Sequence, residues 1–168
     1  MGLDMYLNAE RYVSQYDSRD AQLLAQLSTL PLPSRMSGKI KTITAEVAYW
    51  RKANAIHNWI VTNCNEGVDD CSRVSLSYDQ LQELVRICME VIAFPERAPD
   101  LLPTANGFFF GSTEYDEWYF KDVERSIKVF TEALALLEGE DPTLLGTEQV
   151  SPESLPWCYR EIIYQASW

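Results

Sequence analysis

The sequence is poor in the residues that most readily announce a chemistry. Histidine occurs once in 168 residues, at position 57. No Gly-x-Ser-x-Gly elbow, His-Glu-x-x-His or Cys-x-x-Cys is present, which excludes the commonest nucleophile, zinc-protease and thiol-redox signatures. Basic residues are also scarce: 14 Lys and Arg stand against 25 Asp and Glu, a net charge of −11. Nonspecific nucleic-acid affinity comes from cations that neutralise phosphates, so a chain this acidic does not track a nucleic-acid backbone. No apolar run approaches the roughly 20 residues needed to span a bilayer. The start Met1-Gly2-Leu3-Asp4-Met5-Tyr6-Leu7 has an acid where a signal peptide carries basic residues. Gly2 suits myristoylation, but Tyr6 stands where Ser or Thr is required. The expectation is a cytosolic protein without a membrane partner.

Cysteines number four: Cys64, Cys71, Cys88 and Cys158. Without a secretion signal they read as reduced thiols that behave as small hydrophobes. A metal site from His57, Cys64 and Cys71 would need closer ligands, because structural zinc pairs its ligands two to four residues apart. Neither metal nor cofactor is expected. The loop Asn63 to Asp70 resembles a calcium loop in its acidity but lacks the position-five ligand and the closing Glu. It reads as a solvated acidic loop.

What is present is globular: 46% hydrophobic and 23% charged residues, in a length that suits one domain over 1–168. Leu3, Met5 and Leu7 alternate with Asp4, Tyr6 and Asn8, the period of a half-buried strand. The tail from Cys158 to Ala166 alternates with apolar groups on both faces, a strand covered on two sides. The two strands are expected to pair. Asp20 to Leu30 reads as a short helix stopped by Pro31 and Pro33. Thr44 would cap a long helix to about Asn63. Ser77-Tyr78-Asp79-Gln80 is a capping-box pattern that opens a helix striped by Leu81, Leu84, Val85, Cys88 and Ile92. Gly107 to Gly111 reads as a strand or tight extended turn, followed by a helix from about Tyr115 to Glu138. Segments 31–41 and 140–156 read as variable connectors. The fold class is therefore α+β: a small, mostly antiparallel sheet of the N- and C-terminal strands plus 107–111, packed with three to four helices.

Placed at 100° per residue, the expected helix 46–63 carries a polar and aromatic arc of Glu46, Trp50, Arg51, Asn54, His57 and Asn58. Buried polar groups must find partners. One reading makes the arc a pocket wall, with Trp50 stacking on a planar ligand while Arg51, Asn54 and His57 hydrogen-bond to it. The other makes it a satisfied network between helix and sheet, or a solvent-facing edge. Glu46 and His57, about 16 Å apart along such a helix, cannot act as a direct acid/base pair. The loop Gly107-Phe108-Phe109-Phe110-Gly111-Ser112-Thr113 leads into a helix start, where free backbone N–H groups bind anions. It has no Lys and is one residue short of a Walker loop. The three phenylalanines Phe108 to Phe110 put rings on both faces of an extended segment, so at least one ring faces away from the core. There either a second layer or subunit covers it, or it joins Tyr115, Trp118 and Tyr119 in a stacking wall for a base.

Three stretches, the start Met1 to Leu7, the run Glu46-Val47-Ala48-Tyr49-Trp50-Arg51-Lys52-Ala53-Asn54-Ala55-Ile56-His57-Asn58-Trp59, and Leu102-Pro103-Thr104 through Gly107-Phe108-Phe109-Phe110-Gly111-Ser112-Thr113-Glu114-Tyr115-Asp116-Glu117, together with the closing Tyr164 to Trp168, resemble small proteins of tailed bacteriophages and prophages. The resemblance implies an accessory protein at work in the cytoplasm of an infected bacterium. Proteins of that size bind or degrade nucleotide immune signals, mimic DNA, or inhibit host proteins.

Three functions are thus in play. The favoured one is a noncatalytic, anti-defence sponge that sequesters a small anionic nucleotide-derived signal through Trp50, Arg51, Asn54, His57, Phe108, Phe110, Ser112 and Tyr115, with Lys52 and Arg160 as further cations and no catalytic residue. A homo-oligomer is compatible with it. The alternatives are an enzyme that cleaves a nucleotide or glycosidic bond, with His57 as acid/base and Asp116 or Glu117 as its partner, and an acidic inhibitor of a host protein.

Overall fold

Alternation along the N-terminal segment builds the middle of the sheet. In the structure, a computed structural model that describes residues 2–16, 18–30, 40–138 and 161–168, strand β1 runs Asp4–Tyr12. Leu3, Met5, Leu7 and Ala9 are fully buried on one face, as period-two patterning requires. β1 pairs antiparallel with β2 (Thr42–Arg51) on one side and with β4 (Glu161–Ser167) on the other. A short strand, β3 (Val74–Leu76), adds to the far edge of β4, giving the order β2-β1-β4-β3. The α+β class and the pairing of the N- and C-terminal strands are as the sequence suggests. Residues Cys158 to Arg160 of the expected tail strand lie outside the described residues, as do the connector 140–156 and all of 31–41 except 40 and 41.

Two expected elements are different. The long helix from Thr44 does not exist: Thr42–Arg51 is strand, and helix α2 occupies only Asn54–Cys64. Thr42, Ile43 and Thr44 are β-branched and suit a strand, but a β-bulge hides the period. Leu7 faces Ala48 while Asn8 faces Glu46, so Val47 has no partner of its own. Directly opposed residues share a face. Ala45 therefore joins Ala9 on the core side, whereas beyond the bulge Ala48 and Trp50 join Leu7 and Met5 there. The second correction concerns 107–111, which is no strand. Residues 108–110 form a turn closed by the Phe110 N–H to the Gly107 carbonyl at 3.1 Å.

Helices cover the face that carries Met5 and Leu7. They are α2, α3 (Tyr78–Ala93), α4 (Ala98–Leu101) and α5 (Glu117–Glu138), while a short helix, α1 (Ala21–Leu27), follows β1. The capping box that opens α3 is formed, with the Gln80 N–H donating to Ser77 Oγ at 3.2 Å and the Ser77 N–H to Gln80 Oε1 at 2.9 Å. Leu81, Leu84, Cys88 and Val91 of α3 and Val123, Phe130 and Ala133 of α5 meet the sheet in one apolar cluster. A buried ion pair joins Arg11 of β1 to Asp20, the residue before α1, and Asp20 also accepts the Ser14 N–H at 2.8 Å.

Candidate functional site

The tight passage from β2 into α2 creates the corner on which the site is built. Lys52 turns the chain in the left-handed region, at φ 66°, an uncommon backbone for a residue with a Cβ. Its N–H donates to the Leu3 carbonyl at 2.8 Å, and the Leu3 N–H donates to the Phe109 carbonyl at 2.9 Å. The N-terminal segment is thereby clamped between the corner and the aromatic loop. Gly111, at φ 89°, lies against the Lys52 stem, where an added Cβ would come within 3.1 Å of Lys52 Cβ. Gly107 lies so close to the Phe110 ring that an added Cβ would sit 2.8 Å from it. The three sequence blocks singled out above thus converge on one corner of the molecule.

Asn54, in the first turn of α2, holds the loop. Its Nδ2 donates to the carbonyls of Phe110 at 3.0 Å and Ser112 at 2.8 Å, and its Oδ1 accepts the Ala105 N–H at 3.1 Å. One turn on, Asn58 Nδ2 donates to the Pro103 carbonyl at 3.1 Å. Both side chains expected to face a ligand or an edge instead satisfy backbone that no regular element pairs.

Between the corner and the start of α5 lies a cleft of about 320 Å³. Arg51, Lys52 and the first turn of α2 line one side of it. Trp118, Tyr119, Asp122 and Val123 of α5 line the other, with Thr104, Ser112, Glu114 and Asp116 at the rim. No side chain caps the first turn of α2 and no acid stands there, so its positive end is uncompensated. Arg51 is exposed and only loosely paired with Asp4, at 3.9 Å. Asp116 is already engaged, with Oδ1 capping α5 by accepting the N–H groups of Trp118 and Tyr119 at 3.0 and 3.1 Å. Trp118 is 71% exposed and carries the Lys121 ammonium 4.7 Å from its ring centre. Burial pushes the Asp122 carboxyl above its ordinary pKa; the Arg125 guanidinium opposes that shift and Asp116 adds to it.

The structure sorts the expected site residues sharply. Arg51, Asn54 and Ser112 line the cleft. Trp50 does not: it is 1% exposed, stacks on Phe130 at 5.6 Å and donates its Nε1–H to Ser126 Oγ at 3.1 Å. The aromatic ring at the cleft is Trp118. His57 is buried away from it, with Nδ1 2.7 Å from the Tyr164 hydroxyl and Nε2 3.0 Å from Asp69. Its carboxylate partner is therefore Asp69, neither Asp116 nor Glu117, and the network between helix and sheet is the reading that fits. Phe110 packs edge-on against His57 at 5.1 Å, while Phe108 projects from the turn, 96% exposed. The two rings do not form one wall. Tyr115 packs edge-on against Tyr119 at 4.9 Å and does not line the cleft. Cys64, Cys71 and Cys88 are free, and among the described residues no group of three His, Cys, Asp or Glu is placed to hold a metal. Arg160 lies outside the described residues.

The cleft is not the cationic pocket that the residues of β2 and α2 alone suggest. It carries both signs, because α5 brings carboxylates to face the cations. Among the described residues no helix is long and apolar enough to cross a membrane. No protein-family model matches the chain, and no curated protein or solved structure matches it either. The chemistry of the cleft therefore grounds the functional reading.

Proposed function

We propose that this chain is a noncatalytic binding protein that sequesters one small, anionic, nucleotide-like ligand in the cleft at the start of α2. In that role it is a phage accessory protein, of the anti-defence kind, in the cytoplasm of an infected bacterium. The source rests on the sequence blocks quoted above.

The observation that carries the binding reading is the shared lining of one cleft by two cations and an exposed indole. Arg51 and Lys52 supply charge for an anionic group, and the uncapped first turn of α2 supplies N–H donors beside them. Trp118 supplies a flat surface for a base. The volume lies at the lower end of ordinary small-molecule sites, about 300–1,000 Å³. The noncatalytic part of the reading is supported by the position of His57, whose ring nitrogens both face protein groups outside the cleft. A general base needs hydrogen-bond reach to the proton it takes.

Titration calorimetry with a panel of nucleoside monophosphates tests the reading, followed by heat release and mass analysis of the ligand. Saturable binding of at least one nucleotide, recovered at unchanged mass, is expected. Recovery of a cleaved product would overturn the noncatalytic part, and no binding by Arg51- and Lys52-intact protein would overturn the whole.

A further inference from the structure

Resting on that reading, the two-signed lining of the cleft narrows the ligand. A phosphate seated near Arg51 and Lys52 leaves Glu114, Asp116 and Asp122 along the rest of the lining. A second phosphate there would meet three carboxylates, while the nearby cations are already committed, Arg125 acting on Asp122 and Lys121 paired with Glu117. The ligand therefore carries its negative charge at one end and hydrogen-bond donors at the other.

The three carboxylates are not equivalent. Asp116 spends an oxygen on the α5 cap, and Glu114 is exposed. Asp122 is half-buried, and its carboxylate makes no hydrogen bond or ion pair among the described residues; only its backbone carbonyl is used, by Ser126 Oγ at 2.6 Å. Such a carboxylate has lost part of its water without gaining donors. Trp118 and Asp122 stand four residues apart on α5, hence about 5–6 Å apart between Cβ atoms on one side of the helix. A base laid on the indole would present its edge to Asp122.

We infer that the cleft selects a guanine nucleotide with a single phosphate, the Asp122 carboxylate accepting from the ring N–H and the exocyclic amino group on the pairing edge of the base. Guanine offers two adjacent donors there, matched by two carboxylate oxygens, in the two-point geometry that makes charge-assisted pairs strong and specific. Adenine offers one donor beside a ring nitrogen lone pair, which a carboxylate repels. Hypoxanthine keeps the ring N–H and lacks the amino group, so it falls between.

The test is calorimetric titration of the full chain with guanosine, inosine and adenosine monophosphates, for the parent and for Asp122→Asn, Arg51→Ala and Lys52→Met, with circular dichroism to confirm folding. The parent should prefer guanosine over adenosine monophosphate by at least about tenfold, as one two-point contact provides, with inosine monophosphate between them. Asp122→Asn should bring the guanosine and adenosine affinities together while binding persists, whereas Arg51→Ala and Lys52→Met should weaken all three alike. Equal affinities in the parent, or an unchanged preference in a folded Asp122→Asn, would overturn the guanine assignment and leave the binding reading standing. No binding of any of the three would overturn both.

Discussion

His57 Nε2 lies 3.0 Å from the Asp69 carboxylate, a contact that sets the tautomer of the chain's single histidine when its ring is neutral. A carboxylate only accepts, so in the neutral imidazole the proton lies on Nε2 and Nδ1 accepts from the Tyr164 hydroxyl at 2.7 Å. The ring thereby ties α2 to β4 and to the acidic loop after α2. Tyr164→Phe removes the donor to a buried nitrogen and should lower stability by about 1–3 kcal/mol. Chemical denaturation measures that loss, and nucleotide affinity should stay within error of the parent. A large drop in affinity without loss of stability would assign the histidine to the site after all.

The two tryptophans near the β2–α2 corner should behave oppositely. Trp50→Phe leaves Ser126 without its indole donor and opens space beside Phe130, costing about 1–3 kcal/mol with little effect on binding. Trp118→Ala removes an exposed ring, so its effect on stability should be within about 0.5 kcal/mol. Its nucleotide affinity should fall by about 1–3 kcal/mol, the value of one base stacked on an aromatic side chain. Paired melting curves and titrations decide between them.

Asn54→Asp tests the anchoring of the aromatic loop. The change turns a donor that faces two carbonyls, those of Phe110 and Ser112, into a charged acceptor. The cost should exceed that of Asn54→Ala, itself about 1–3 kcal/mol for the unmade bonds of a buried group. Hydrogen exchange of the Ala105 amide, which loses a sound acceptor in Asn54→Ala, should quicken in step.

Asp122 gives the pH dependence a definite sign. Its folded-state pKa is raised, chiefly by burial, so the folded chain holds this proton more tightly than the unfolded chain. Stability therefore falls as pH rises from the unfolded carboxylate value, about 4, through the folded one, and the penalty is complete above that. Asp122→Asn should melt higher than the parent at neutral pH, and the difference should shrink as pH falls towards about 4 and be gone below it. A variant that melts lower at neutral pH would show that Asp122 is paired in the folded protein.

Cys88 and Cys64 are the slow thiols. Burial pushes Cys88 up to about 12 and Cys64 up to about 11, so at pH 8 about a thousandth or less of either is thiolate. Alkylation mapped by mass spectrometry should label both only after unfolding. Labelling of Cys88 in the native protein at the rate of a free thiol would contradict its burial.

Much of the fold is legible where local chemistry and tertiary packing agree. The capping box at Ser77 and Gln80, the alternation from Leu3 to Leu7 and the apolar stripe from Val123 to Phe130 all lead directly to the elements observed. The β2–α2 segment is illegible for two physical reasons. The bulge at Val47 shifts the core side from Ala45 to Ala48 and Trp50 and erases the strand period. Helix α2 starts at Asn54 after an alanine that makes no side-chain cap, so the ordinary start signal is missing. Tyr49, Ala53, Ile56 and Ile60 then imitate one helical stripe across a strand and a helix.

The site divides the same way. The sequence by itself determined the acidity, the lack of a catalytic signature, the candidate blocks and the choice of Arg51, Asn54 and Ser112 as residues of interest. Only the tertiary structure decided that Trp50 belongs to the core and Trp118 to the cleft, that His57 answers to Asp69 and Tyr164, and that Asp122 shares the cleft with Arg51 and Lys52. Local pattern records what each segment buries, but the partners of a buried polar group and the charge that faces a cation across a cleft come from other segments, 12 and 107 residues away for His57 and 71 residues away for Arg51 and Asp122.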